Sequence, residues 1–343
     1  MNISRIGIDL AKNVFQLHGV DRQGKAVWKR RLKRDQWLKA VLSQAEPGCE
    51  IGMEACSGAH HWARELESRG YTVRLMAPQF VKPYVKSNKN DANDAEAIVE
   101  AMSRPNMRFV TVKSIVQQDI QATHRIRSEL MTQRKAKANQ IRGLMAEYGL
   151  VAPQTLRALQ ATIPDWLEDA ENGLSDYFRS LLHGLWSDLS NLNDRVLELD
   201  QTILKLANSN EVTRRLQQLR GVGPMVATAL IATFGDAQQY HKGRQMAAAI
   251  GLTPRQHSSG GKNRLLGISK RGDVYLRSLL VHGARAVVSQ AKHRDDRLSR
   301  WVIGIAQRRH PNVAAVALAN KTARMAWAML RNETDYDPDF TTS

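Results

Sequence analysis

Acids set into apolar strands restrict what this chain can fold into more than any other feature of it. Ile6-Gly7-Ile8-Asp9-Leu10 alternates in the manner of a strand with one apolar face, and Asp9 stands among those residues. Glu54 ends the polar side of a second such strand, Cys49 to Ala55, whose Ile51 and Met53 share a face. A charge beside buried strands costs several kcal/mol unless it is paired or binds metal. No lysine or arginine alternates with either acid to serve as an obvious partner. Two more acids follow in the stretch 87–98. There Asn90 suits the N-cap of a helix starting at Asp91, and Asp91 and Asp94 project from one face of its first turn. Taken alone, that pair is an ordinary complement to the helix dipole. Four converging carboxylates, however, repel one another and some take up protons. A hard divalent ion, Mg²⁺ or Mn²⁺, resolves both problems, and two such ions roughly 4 Å apart activate a nucleophile and stabilise a leaving oxygen on phosphate.

The strands around these acids set the expected fold class. Strands are predicted at 6–10, 14–20, 25–32, 49–55 and 71–76, with amphipathic helices at Trp37 to Ala45 and after Ser57. The order β-β-β-α-β-α-β, followed by the acid-bearing helix, predicts a mixed sheet with helices packed on it. The rest of the chain reads as almost wholly helical. The expected division is an α/β domain at 1–110, a helical coiled-coil arm at 111–208, a mostly helical C-terminal domain at 209–331 and a loose acidic tail at 332–343.

The 343 residues carry 50 Lys or Arg against 33 Asp or Glu, a net charge of +17. Folding does not need such an excess, so it points to a polyanion, most simply nucleic acid. A membrane is the competing polyanion, but no apolar run approaches spanning length, no secretory leader opens the chain and no lipidation motif ends it. The only cysteines, Cys49 and Cys56, fit a reducing cytosol and exclude a four-cysteine zinc site. The expectation is a cytoplasmic protein, nucleoid-associated when bound to DNA.

In the arm, Lys113, Arg125, Arg127, Arg134, Lys135, Lys137 and Arg142 face only Asp119 and Glu129, a bias that favours a polyanion over a merely solvated helix face. Farther on, Phe178, Leu182, Leu185, Leu189, Leu192, Val196, Leu199, Ile203 and Leu206 keep four-three spacing without a miss. That seam predicts a coiled coil, either within the chain against the basic helix or between subunits.

The C-terminal part opens with a helix, the turn Gly221-Val222-Gly223 and another helix, which reads as a helix-hairpin-helix. Its backbone N–H groups suit a DNA phosphate, though an ordinary helical turn has the same look. A Gly-rich loop, Gly251 to Arg264, follows. Between Arg255 and Arg309 there are thirteen Lys or Arg against Asp273, Asp295 and Asp296. A serine ringed by Arg255, Lys262, Arg264, Lys270, Arg271 and Arg277 is able to attack phosphate, although such a loop is usually only a loop. Tyr275 is a rival nucleophile whose spacing to Leu276 and Leu279 reads better as helix packing, and Trp301 and Trp327 are expected core anchors.

Gly7-Ile8-Asp9-Leu10-Ala11-Lys12, Met53-Glu54-Ala55-Cys56-Ser57-Gly58 and Asn90-Asp91-Ala92-Asn93-Asp94-Ala95 resemble the three acidic motifs of the DEDD transposases of bacterial insertion sequences. Gly251-Leu252-Thr253-Pro254-Arg255, Ser259-Gly260, Ile268-Ser269-Lys270-Arg271-Gly272 and Leu276-Arg277 resemble the same family's C-terminal domain. The opening also resembles the first phosphate loop of actin-like kinases, whose remaining motifs have no convincing copy here. The DEDD resemblance implies a ribonuclease H-like (RuvC-like) first domain with Asp9, Glu54, Asp91 and Asp94 as Mg²⁺ ligands. It further implies Ser259, rather than the adjacent Ser258, as a nucleophile forming a covalent phosphoserine. The implied partners are donor and target DNA, a structured non-coding bridge RNA, and further copies of the chain in dimers that pair into tetramers. The alternatives are a metal-dependent junction endonuclease using water, and a non-catalytic nucleic-acid scaffold.

Overall fold

The alternating segments of the N-terminal region form strands β1 (Arg5–Asp9), β2 (Val14–Val20) and β3 (Ala26–Lys33), then helix α1 (Trp37–Gln44), β4 (Glu50–Glu54), α2 (Ala59–Glu67) and β5 (Thr72–Met76). Helices α3 (Pro78–Val81) and α4 (Asp91–Met102) and the short strand β6 (Phe109–Val110) complete the first unit, Met1–Ser114. The computed structural model describes residues 3–86, 91–152, 154–259 and 262–338, the side chains of Asp91, Ala92, Ser259 and Asn263 excepted. The expected cap Asn90 lies outside the described residues. The sheet runs β3-β2-β1-β4-β5-β6; β1, β4 and β5 are mutually parallel and the other pairings antiparallel. The expected strands are all present, and β6 is new, its two residues being too short to show alternation.

Strand alternation gives the sheet two unlike faces. Ile6, Ile8, Ile51 and Met53 pack with Phe15, Trp37 and Leu66 on one side. On the other, α4 presses Ile98, Ala101 and Met102 toward Met76 and Val81. Two glycines make that second contact close. Gly7 and Gly52 pair across β1 and β4. A Cβ on Gly7 would come within 2.3 Å of the Ala95 carbonyl oxygen, and one on Gly52 within 2.7 Å of Met102 Sδ. The helix thus lies against bare backbone where any larger residue would lift it.

The second unit, Ile115–Ser343, is built mainly of helices. It contains α5 (Ile115–Ala146), α6 (Leu156–Glu168), α7 (Asp176–Ser209), α8 (Glu211–Leu216), α9 (Pro224–Phe234), α10 (Gly243–Ala249), the strands β7 (Pro254–Ser259) and β8 (Lys262–Ile268), α11 (Val274–Gln290), α12 (Arg297–Arg308) and α13 (Pro311–Asn332). The seam on α7 meets α5 of the same chain. Arg127 pairs with Asp200 at 2.5 Å, Arg134 donates to Asn193 Oδ1 and Lys137 pairs with Asp188, so the two helices run antiparallel. Leu182, Leu189, Val196 and Ile203, one line of the seam, are buried; Leu185, Leu192, Leu199 and Leu206, the other line, are half-buried. Part of that burial comes from α6, whose Leu159, Ile163 and Trp166 pack in one cluster with Leu182 and Leu189.

Three expectations change. The Gly-rich stretch is a two-stranded hairpin rather than a loop, β7 pairing antiparallel with β8 through Ser258↔Asn263 and Ser259↔Lys262. The tail docks as far as residue 338: Tyr336 N–H donates to Gln218 Oε1 and its ring packs on the core, while Asp335 accepts from Gln218 Nε2 and pairs with Arg215. Trp301 is not a core anchor but stands 36% exposed.

A buried polar chain ties α5, α9 and α11 together. The Thr228 hydroxyl donates to the Pro224 carbonyl and lies 2.9 Å from His124 Nε2, and Tyr275 Oη lies 2.9 Å from His124 Nδ1. A neutral imidazole satisfies all three groups, donating from Nε2 to Thr228 and accepting at Nδ1 from Tyr275. Burial, then Arg127, pushes its pKa down to about 4 from an ordinary value of 6.5.

Gly7→Ala is expected to destabilise the first unit by about 2–3 kcal/mol in denaturant melts through overpacking against a helix backbone. Gly143→Ala on α5, where a Cβ meets nothing within 4 Å, is expected to be stabilising by up to ~1 kcal/mol. For His124, the folded pKa lies below the unfolded one. Its contribution is therefore fully present above pH 6.5 and is lost as pH falls toward 4, a change of about 3 kcal/mol. Denaturant midpoints between pH 7 and 4 should fall more steeply for the wild type than for His124→Phe, which cannot take up a proton.

Candidate active site

Period-two alternation decides where the acids go. Gly7 and Asp9 lie on one face of β1, Gly52 and Glu54 on the same face of β4, and the strands are parallel and in register from Arg5↔Glu50 to Ile8↔Met53. Both carboxylates therefore leave the same edge of the sheet, on the face covered by α4. Asp94 lies in the first turn of that helix, one residue before Ala95, whose carbonyl rests over Gly7. The glycines are thus what allows a helix-borne acid to approach two strand-borne acids.

The electrostatics agree with that approach. Glu54 titrates above its ordinary range because of burial, then Asp9, then Asp94. Burial, Glu54 and Asp9 also raise the Cys56 thiol. The described donor set is all oxygen and carries mutual repulsion, which suits a hard divalent cation. Among the described residues no group of three or more acid, histidine or cysteine side chains is placed to hold a metal ion. The side chain of Asp91, the fourth expected ligand, lies outside the described residues.

Ser259 ends β7 at the hairpin turn, next to Ser258, whose hydroxyl accepts from Gln256 Nε2 at 2.8 Å. Arg255, Lys262, Arg264, Lys270 and Arg271 are exposed on and beside the hairpin, whereas Arg277 donates to the Ile250 carbonyl. The two halves of the motif after the arm meet in space. Ser269 N–H donates to Thr253 O and Lys270 N–H to Gly251 O, and a Cβ on Gly251 would fall 2.0 Å from the Arg271 carbonyl oxygen. Of the expected arm contacts, Arg125 and Lys135 are exposed, while Arg127 and Arg134 serve the hairpin of α5 and α7. Gly223 is exposed; Gly221 packs on Gly283 of α11. Tyr275 is held by His124 within the core, as its helical spacing suggested.

Sequence reasoning missed the Gly7–Gly52 pair. The signal was present, since Ile6-Gly7-Ile8-Asp9 and Ile51-Gly52-Met53-Glu54 repeat one pattern of apolar, glycine, apolar, acid.

Comparison with known proteins bears on both regions. A family model described as Transposase, of the IS110 DEDD type, matches residues 6–150, and one described as Transposase IS116/IS110/IS902 family matches residues 213–299. A probable family 20 transposase of Pseudomonas aeruginosa is 51% identical over 98% of this chain and 100% of its own length. The transposase for insertion sequence element IS1111A of Coxiella burnetii is 45% identical over 98% of this chain and 92% of its own. The transposase for insertion sequence element IS1328 of Yersinia enterocolitica is 41% identical over 96% and 97%. No helix among the described residues is long and apolar enough to cross a membrane. The chain belongs to the DEDD-type transposases of insertion sequences, enzymes that act on DNA and whose acidic domain implies a divalent metal.

Proposed function

We propose that this chain mobilises its element as a DNA recombinase, breaking and rejoining strands through a covalent phosphoserine at Ser259 beside Mg²⁺ held by Asp9, Glu54, Asp91 and Asp94. The observation that carries the reading is the in-register pair of Gly-x-acid strands beneath a helix whose first turn adds Asp94. Sheet order and polarity support a ribonuclease H-like, RuvC-like first domain at 1–110. The coiled-coil arm at 111–208 and the serine-bearing domain with its helix-hairpin-helix at 209–331 complete the reading.

When bound, the metal supplies positive charge at the phosphate oxygens. The acids hold that site in a fixed geometry, and the exposed Arg255, Lys262 and Arg264 draw the DNA backbone to the hairpin. Ser259 Oγ forms a bond to phosphorus as a strand oxygen leaves; the serine gives up its proton and the leaving oxygen gains one. Attack by a strand hydroxyl on the phosphoserine reverses the exchange, so bond energy is kept for religation. A bridge RNA selects donor and target DNA by base pairing, with Arg125 and Lys135 of α5 among its contacts. The chain works as a dimer that pairs into a tetramer, and Asp9 and Ser259 act on one phosphate, whether from one subunit or from two.

On a denaturing gel after incubation with donor DNA, Mg²⁺ and the RNA, a slow-migrating protein–DNA band is expected. It should be lost in Ser259→Ala and kept in Ser258→Ala. Cleavage that persists in Ser259→Ala would instead assign the attack to water and the reading to a metal endonuclease. The acids give a second test. Because Glu54 titrates high in the folded protein, its ionised form opposes folding as pH rises above the ordinary glutamate range. Metal-free Glu54→Gln should therefore melt above the wild type at neutral pH. Mg²⁺ or Mn²⁺ should raise the wild-type melting temperature, more so at higher pH, and leave that of Glu54→Gln unmoved. Its strand cleavage should fall on the order of 10³-fold, the equivalent of about 4 kcal/mol in the barrier.

A further inference from the structure

A cleft of about 2390 Å³ lies between the β7–β8 hairpin, α10, α12, α13 and the docked tail. It is more than twice the size of a pocket for a small molecule, ~300–1,000 Å³. Just over half of its lining lies after residue 299, where the C-terminal family match ends. Its walls are held from behind: Trp327 Nε1 donates to Tyr240 O, Asn320 Nδ2 to Leu252 O, and Gly243 seats α10 directly on Arg324 and Trp327.

Two kinds of side chain face this space. Arg244, Arg297, Lys321 and Arg324 supply positive charge. Arg297 and Arg324 stand near enough to Lys321 that, after burial, they are what lowers its pKa. Among the described residues no carboxylate lies within salt-bridge distance of these three. The acids that line the cleft, Asp335 and Asp337, belong to the tail, and Asp335 is paired with Arg215. The second kind is apolar: Trp301, Val313 and Met325, with Leu265 on the hairpin side. Trp301 is 36% exposed and carries the Lys321 ammonium 4.6 Å from its ring centroid.

We propose that this cleft holds a single-stranded segment of nucleic acid, its phosphates on Arg297, Lys321 and Arg324 and an unstacked base against Trp301. Like charges gathered with no described carboxylate in salt-bridge distance call for an anion. A duplex would present only its phosphates and leave the apolar wall unused, whereas a single strand offers base faces as well. The hairpin that carries Ser259 forms one side of the cleft, so the strand would be held beside the proposed nucleophile's own strand pair. The proposal rests on the nucleic-acid partner of the reaction above but not on its chemistry.

The test is fluorescence anisotropy with the full-length protein in EDTA, which removes strand cleavage from the measurement. The probes are labelled 12-nucleotide oligothymidylate, oligouridylate and a 12-base-pair duplex. Neutralising three phosphate contacts in Arg297→Gln/Lys321→Gln/Arg324→Gln should reduce the slope of log K against log salt for single strands by about 2. Trp301→Ala should weaken single-strand binding by roughly 5- to 150-fold and leave duplex binding unchanged. A loss confined to the uridylate or to the thymidylate strand supports the proposal and identifies the strand as RNA or DNA. Unchanged single-strand affinity in both variants, or equal losses for duplex and single strand, overturns it. Because mutual repulsion is relieved, the triple variant should also melt higher than the wild type without nucleic acid. A lower melting temperature assigns the three cations to structure and overturns their part in the proposal, leaving Trp301→Ala to decide the base contact. Failure of the phosphoserine reading would appear in the denaturing gel and leave these binding results untouched.

Discussion

Everything at the acidic edge depends on how closely α4 can approach β1 and β4. A helix normally stands off a sheet by the length of the side chains between them. Here the paired Gly7 and Gly52 remove those side chains at the crossing point, and the Ala95 carbonyl comes down onto backbone. Alternation then places the next residue on that face, Asp9 in one strand and Glu54 in the other, where the helix begins. The packing constraint and the chemical one are therefore a single constraint. A larger residue at 7 or 52 would raise the helix and take Asp94 away from its companions without touching an acid.

The two units share an electrostatic trait. In the first, burial and two neighbouring carboxylates keep Glu54 reluctant to ionise. In the second, burial and two arginines keep Lys321 reluctant to hold its proton. Structural ion pairs lower the energy of a fold; these groups raise it. Such destabilised groups are what a binding site leaves behind when its ligand is absent, and stability is given up for them. The arm shows the opposite case. Arg127 and Arg134 come from the same basic run as Arg125 and Lys135, but Asp200 and Asn193 on α7 use them to set the register of two long helices. Net charge alone does not separate cations that bind a partner from cations that hold the molecule together.

That distinction also explains what could be read in the sequence. The strand order, the placement of Asp9 and Glu54 and the helical start at Asp91 were legible because alternation and helix initiation are local signals. The seam on α7 was legible as a seam but not as a pair, since four-three spacing names a buried stripe and not what buries it. The polar Arg-Gln-His-Ser-Ser run hid a strand, because alternation cannot be seen where residues 254–258 are all exposed. Trp301 misled because a large aromatic usually means core, while its amphipathic ring serves equally well at a cleft rim. The docking of Tyr336 depends on Gln218, more than a hundred residues earlier in the chain, and no local pattern reports such a contact.

The Gly221-Val222-Gly223 turn shows how far geometry can divide a motif between structure and function. Gly221 has φ +82, which favours glycine, and a Cβ there would meet the Gly283 carbonyl at 2.9 Å; in return a Cβ on Gly283 would fall 2.0 Å from the Gly221 oxygen. That mutual contact packs the turn onto α11 and accounts for glycine at 221 without any ligand. Gly223 has no such reason. Its backbone is extended, it caps α9, and a Cβ would meet nothing within 4 Å. Space is therefore kept open on one side of the turn, at the helix start, where N–H groups and the helix dipole both favour an anion. The two glycines thus answer to different constraints: residue 221 to packing on α11, residue 223 to an open helix start.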